Sequence, residues 1–251
     1  MLELINLCIG YKDEPVLEGI NLTFNPGEIT TIIGKNGTGK STLLKSATSL
    51  LKPISGDILL EGKNLQEYTR KEWAKKVAIL NQSHTDSNCT VQSLVEHGRY
   101  PHLGFSKRMD AQDYCIVDRA IRTMGIENLQ DKSLLQVSGG ERQKAYLAMA
   151  LAQDTPYLAL DEPATYLDLA IQKEILRLLL LLRDHSKCII AVMHDLEAAL
   201  QVSDHVCLLD GGKIAAYAKP EELVASGLIE QVFGVECTKV QSKNGLRYLF
   251  S

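Results

Sequence analysis

The sequence predicts an α/β fold whose core is interrupted by a helical insertion. Three observations carry that expectation. Gly34-Lys35-Asn36-Gly37-Thr38-Gly39-Lys40-Ser41 matches the phosphate-binding pattern G-x-x-x-x-G-K-[ST] at every fixed position, and it stands between an apolar run and a helical one. After about residue 155, short apolar runs alternate with amphipathic helical stretches, as in β-α units. Between these regions, from about Ser83 to Asp154, the apolar spacing is helical.

Taken in order, Leu2 to Ile9 alternates as a strand, and strands Gly19 to Phe24 and Ile29 to Ile33 flank the turn Asn25-Pro26-Gly27-Glu28. A helix is expected from Gly39 to about Leu51, stopped before Pro53. Arg70, Lys71, Lys75 and Lys76 are interleaved with Glu72 and Trp73, which reads as a solvated amphipathic helix, and Val77 to Leu80 as a strand. Thr90 caps a helix with Val91, Leu94 and Val95 on one face, and Ile116, Ala120, Ile121 and Met124 mark another. Ser138 with Glu141 three residues later is a capping-box pattern opening a helix through Ala150. The alternation then runs strand 157–161, helix 168–183, strand 188–193, helix 195–202 and strand 205–209. A short helix after Pro220 and two weak strands, Cys237–Val240 and Arg247–Phe250, finish the chain.

Composition bounds the function. With 251 residues, 45% hydrophobic and 23% charged, the chain is expected to be one soluble globular domain. A net charge of -4 gives no general attraction to nucleic acid or anionic lipid. Six scattered cysteines without a C-x-x-C pair read as reduced thiols of a cytosolic protein. Leu178 to Leu182, the most apolar stretch, is far shorter than the ~20 apolar residues that span a bilayer. No secretory signal is recognisable at Met1 to Ile5, so a membrane role is expected to come through a partner. His84, His97, His102, His185 and His205 share no metal-ligand spacing and default to packing or surface roles.

The phosphate loop needs glycines so that backbone N–H groups can close around phosphate oxygens, with the positive end of the following helix behind them. Asn36, Gly37, Thr38, Gly39 and Thr42 are expected around the phosphates, Lys40 on the β- and γ-phosphates, and Ser41 on Mg²⁺. The apolar strand Tyr157-Leu158-Ala159-Leu160 ends in Asp161 and Glu162, two carboxylates expected beside that loop. Asp161 is assigned to Mg²⁺ through water, and Glu162 to orienting and polarising the attacking water.

Phosphate loop, Val137-Ser138-Gly139-Gly140-Glu141 and the acidic strand ending in Asp161-Glu162-Pro163, in this order, resemble the ATP-binding cassette (ABC) ATPases over nearly the whole chain. The resemblance implies a P-loop NTPase core (1–82 and 155–220) with an antiparallel β subdomain, a helical signature subdomain (83–154) and a short C-terminal extension (221–251). It implies that Ser138, Gly139 and Gly140 bind the γ-phosphate of ATP held by a second copy, giving a homodimer with two composite sites. His194 then matches the γ-phosphate-sensing histidine, and Gln82 the glutamine that meets Mg²⁺ and the attacking water. Tyr11 matches the aromatic that stacks on adenine, and Asp168 the residue coupling the two sites. Val137 and Glu141 replace the commoner Leu and Gln, Lys35 a common Pro, and Ala164 a frequent Thr. Gly98-Arg99-Tyr100-Pro101-His102-Leu103-Gly104 resembles the importer ATPases for iron-siderophore, haem and cobalamin, and is expected to face the permease. Implied partners are transmembrane permease subunits and a solute-binding protein, without nucleic acid. The chain would then be cytoplasmic, peripheral on the inner face of the cell membrane. Another ABC importer or exporter, or a soluble ABC ATPase of cluster assembly, DNA or ribosomes, remains the alternative reading.

Overall fold

The computed structural model describes residues 1–12, 14–82, 88–104, 108–165, 167–242 and 245–251. Ser83, His84 and Tyr166 of the sequence reading lie outside the described residues. Two sheets carry the fold. The first is antiparallel, formed by β1 (Leu2–Tyr11), β2 (Glu14–Phe24), β4 (Ser55–Leu60) and β5 (Lys63–Asn64) in the order β2-β1-β4-β5. The second contains β3 (Ile29–Gly34), β6 (Val77–Leu80), β7 (Tyr157–Asp161), β8 (Cys188–Val192), β9 (His205–Asp210) and β10 (Lys213–Ala218). Its order is β10-β9-β3-β8-β7-β6, parallel except for β10 at the edge.

The central strands are apolar throughout because both of their faces are covered. Leu158 and Leu160 of β7 enter one hydrophobic cluster, Tyr157 and Ala159 the other, following the alternation of Cβ direction along a strand. One cluster packs this sheet against α1 (Lys40–Ala47) and the antiparallel sheet. The other packs its opposite face against α5 (Gly139–Ala152) and α6 (Leu169–Asp184). Between β6 and β7 also stand α3 (Val91–His97) and α4 (Ala111–Thr123), whereas α2 (Arg70–Ala74) precedes β6 and buries Trp73. Thr90 caps α3 by accepting from the Ser93 N–H at 3.1 Å, and Ile116, Ala120, Ile121 and Met124 are buried as their spacing predicts. After β8 come α7 (Leu196–Val202), α8 (Pro220–Ala225), α9 (Leu228–Phe233) and the hairpin β11 (Cys237–Ser242)–β12 (Gly245–Phe250).

Several boundaries differ from expectation. Helix α1 ends at Ala47 and not near Leu51. The Thr48 hydroxyl donates to the Leu44 carbonyl at 2.8 Å, Ser49 takes φ 65°, and the Leu50 N–H turns back to Lys45 at 2.8 Å. This is a left-handed helix stop made by a serine where glycine is usual. Strand β2 begins five residues before Gly19, and β4, β10 and α9 are elements that the sequence did not announce.

Candidate functional site

Strand β3 delivers the phosphate loop at the carboxyl edge of the parallel sheet, where loops after β6, β7 and β8 also converge. Gly39 caps α1 at φ 96°, a conformation that costs other residues energy. A Cβ there would also stand 2.9 Å from Val16 Cγ1, so any larger residue would push the strand β2 wall aside. An open cleft of about 760 Å³ lies over the loop, lined among others by Val16, Asn36, Lys40, Ser41, Gln82 and Glu162. Gly37, Gly39, Thr42, Thr165 and His194 complete the wall.

Lys40 is buried, 6% exposed, and its ammonium donates to the carbonyls of Gly34 at 2.8 Å and Lys35 at 2.9 Å. Burial pulls its pKa below that of an ordinary lysine, against the nearby carboxylates of Glu162 and Asp161, which push it up. A phosphate brought to Lys40 would act in the same sense as those carboxylates. Thr38 Oγ1 donates to the Lys35 carbonyl at 2.8 Å and closes the loop on itself.

The Ser41 hydroxyl donates to Asp161 Oδ1 at 3.0 Å. Burial raises the Asp161 carboxyl above the usual carboxylate range, opposed by that hydrogen bond. A hydroxyl and a carboxylate this close to a phosphate cradle are oxygen donors of the kind Mg²⁺ takes together with water and substrate phosphates. The pair therefore fits the metal that the loop chemistry implies.

Glu162 is the meeting point of the cleft. Gln82 Nε2 donates to its Oε2 at 2.7 Å, and His194 Nε2 contacts its Oε1. These three groups come from the ends of β6, β7 and β8, Gln82 lying 80 residues before Glu162 and His194 32 after it. Glu162 itself takes φ 55°, a left-handed conformation rare for a residue with a side chain.

Other expected residues stand apart. Tyr11 is 49% exposed at the end of β1, opposite Glu14, and does not line the cleft. Ser138, Gly139 and Gly140 are likewise absent from the lining. They open α5, where Ser138 accepts from the Glu141 N–H at 3.3 Å and Glu141 Oε2 accepts from the Ser138 N–H at 2.8 Å. Asp168 caps α6, accepting from the Ile171 N–H at 2.9 Å. Val16 and Thr165 were not anticipated in the cleft. Thr165 lies next to Ala164 and three residues before Asp168, both named from the sequence, whereas nothing in the sequence marks Val16. Within the segment 98–104, Arg99 turns inward and pairs with Asp113 at 2.9 Å, and His102 contacts the Gln153 carbonyl at 2.8 Å. Tyr100 projects outward, 59% exposed, so only part of this segment is available to a partner.

Comparison with known proteins gives one answer. The ABC transporter family profile matches residues 17–165. The ferric enterobactin transport ATP-binding protein FepC of Escherichia coli (strain K12) is 41% identical over 233 residues, 92% of this chain and 86% of that one. The petrobactin import ATP-binding protein FpuD of Bacillus anthracis is 40% identical over 238 residues, 94% of this chain and 87% of that one. Among solved structures, cbiO1 from Clostridium perfringens, part of the ABC transporter complex cbiONQ, superposes with TM-score 0.78 at 29% identity, covering 92% of each chain. A phosphate loop, an acidic strand end and a separate Ser-Gly-Gly helix start thus share one fold with these relatives, and the chain belongs to the ABC transporter family as one of its ATPase subunits.

Proposed function

We propose that this chain is the ATP-hydrolysing subunit of an importer for iron-siderophore complexes, with haem or cobalamin as the related solute classes. Support for the siderophore class comes from FepC and FpuD, which are named for ferric enterobactin and petrobactin and align along more than nine-tenths of this chain. The single observation that carries the chemistry is the convergence of Gln82 and His194 on Glu162 beside the phosphate loop.

In this reading, Asn36 to Thr42 cradle ATP, Lys40 meets the β- and γ-phosphates, and Tyr11 stacks on adenine. Ser41, Asp161 and Gln82 would hold Mg²⁺, which supplies charge neutralisation on the phosphates. Glu162 holds the attacking water through its carboxylate, and His194 contacts the γ-phosphate. Phosphoryl transfer depends chiefly on such positioning and charge stabilisation. Ser138, Gly139 and Gly140 of a second copy close the site, and Asp168 links the two sites across the pair.

Among the described residues, no helix is long and apolar enough to cross a membrane. We assign the chain to the inner face of the cell membrane, held there by permease subunits that work with a solute-binding protein. The 1–82 and 155–220 core, the 83–154 signature subdomain and the 221–251 extension are the units we assign to this task.

Two measurements test the proposal. Glu162→Gln is expected to keep ATP binding and lower turnover by ~10²–10⁴-fold, the usual worth of a positioned general base; near-normal hydrolysis would remove Glu162 from its role. Purification of the tagged chain from detergent-solubilised native membranes is expected to bring a polytopic permease with it. Recovery with ribosomes, DNA or cluster-assembly proteins instead would overturn the transport role.

A further inference from the structure

We propose that Gln143 is a positioning residue for Glu162, its side-chain amide fixing the loop that aims the carboxylate. The inference rests on the reading of Glu162 as the group that orients water. Gln143 lies on α5, in the helical region, while Glu162 follows β7 in the core. Across that gap Gln143 Nε2 donates to the carbonyl of Pro163 at 3.0 Å. Proline has no N–H, so this carbonyl is the hydrogen-bonding group that residue 163 offers.

Glu162 needs such support. Its φ of 55° is a strained conformation that persists only where the surroundings over-determine it. Its own N–H donates to the Val192 carbonyl at 3.1 Å, and its carbonyl accepts from Thr165 at a long 3.3 Å. The Gln143 contact falls just beyond these two, on the Pro163–Ala164 peptide that carries the chain from Glu162 into the following turn.

Helix α5 is itself clamped where it delivers that amide. Gly140, Gln143 and Lys144 share one helix face at i, i+3 and i+4. A Cβ on Gly140 would stand 2.2 Å from Ile171 Cδ1, so α5 and α6 touch there through a glycine. One turn on, Lys144 Nζ meets Glu174 Oε2 at 2.6 Å, the lysine side chain being 15% exposed. A glycine contact and an ion pair on the same face therefore flank Gln143 and hold the helix turn that delivers its amide to the Pro163 carbonyl.

The test is steady-state hydrolysis by the full chain, with kcat and KM for ATP read separately and the thermal midpoint recorded. Gln143→Met keeps the volume and removes the donor, and Gln143→Glu keeps polarity and size without one. Gln143→Lys replaces the donor with another. The two donor-less variants are expected to lose about tenfold in kcat, with KM for ATP within about twofold of the parent, because misplacing a reacting group weakens chemistry and not substrate binding. Gln143→Lys is expected to recover kcat to within about threefold. Parental kcat in Gln143→Met or Gln143→Glu overturns the inference, and so does a loss in Gln143→Lys as deep as theirs. Glu162→Gln in the same assay separates the two claims: an inactive Glu162→Gln beside a normal Gln143→Met sinks only the role of Gln143, whereas a normal Glu162→Gln sinks the reading beneath it.

Discussion

Helices α1 and α5 both begin at a glycine-rich turn, yet their first turns are finished in opposite ways. Helix α1 starts at Gly39 with no side-chain cap and no acidic residue in its first turn. Its leading N–H groups and the positive end of its dipole are left to face the cleft. Helix α5 starts at Ser138 inside a complete capping box, with Glu141 accepting from both the Ser138 N–H and its hydroxyl at 2.8 Å. The Ser138 N–H, then its hydroxyl, hold the Glu141 carboxyl below the usual range, so it is ionised at neutral pH. One anion-binding device is therefore open and preset within its own chain. The other has its Ser138 N–H and hydroxyl taken by its own Glu141 carboxylate and, in the function proposed above, exchanges that contact for a phosphate held by a second copy.

That contrast is broken most severely at its two ends. Lys40→Ala is expected to weaken ATP binding by at least roughly 100-fold, since charge-assisted hydrogen bonds contribute about 1.5–3 kcal/mol each. Ser138→Arg is expected to leave ATP binding by the free chain unchanged and to lower turnover by ~10²–10³-fold, the scale of removing a preorganised donor. Isothermal titration with ATP, followed by phosphate-release assays, separates the two outcomes. If Ser138→Arg weakens ATP binding by the isolated chain as much as Lys40→Ala does, the two helix starts serve one site and the contrast fails.

A smaller effect is expected from the support of α5. Arg99 donates to Asp113 at 2.9 Å and to the Ala152 carbonyl, at the far end of α5, at 2.8 Å. Both partners are nearly buried, with side chains 6% and 12% exposed. Burial works to raise the Asp113 carboxyl, but the Asp110 N–H and Arg99 outweigh it and the net shift is downward. Asp113→Ala leaves a buried guanidinium without its carboxylate and is expected to cost about 3 kcal/mol of stability in denaturant titration. Because the folded pKa is depressed, the carboxylate's contribution is present above the unfolded pKa and is lost as pH falls through the lowered folded value. The parent should therefore lose this advantage over the variant in acid. A variant equally stable at neutral pH would mean that the ion pair does not hold α5.

Sequence reading succeeded where the signal is local. The phosphate loop, β7 and the Ser138–Glu141 box each lie within a few consecutive residues, and each formed as its spacing predicts. It failed where the partner is distant. Lys213–Ala218 lacks a clear alternation and becomes β10 only by pairing with β9. The end of α1 was read from Pro53, but Ser49 in a left-handed conformation had already stopped it. The convergence on Glu162 was legible only through the order of motifs shared with a family, because no spacing rule relates Gln82, Glu162 and His194. Gln143 gave no signal, as its hydrogen bond reaches a main-chain carbonyl 20 residues away.

The smallest expected effect sharpens the contrast at a single atom. Glu141→Gln keeps the shape of the capping side chain and removes its charge. As a carboxylate, Glu141 favours the dipole of its own helix by roughly 0.3–1 kcal/mol and would oppose a phosphate arriving at the same turn. The neutral variant is thus expected to pair more readily with ATP bound, by about three- to thirtyfold in the dissociation constant of the dimer, because both composite sites change at once. Sedimentation of Glu162→Gln and Glu162→Gln/Glu141→Gln chains with ATP measures this without turnover. The gain should shrink as salt rises from 0.05 to 0.5 M, since the Debye length falls from about 14 Å toward 4 Å. Unchanged pairing at low salt would place Glu141 away from the phosphate and leave its carboxylate as a cap for α5 alone.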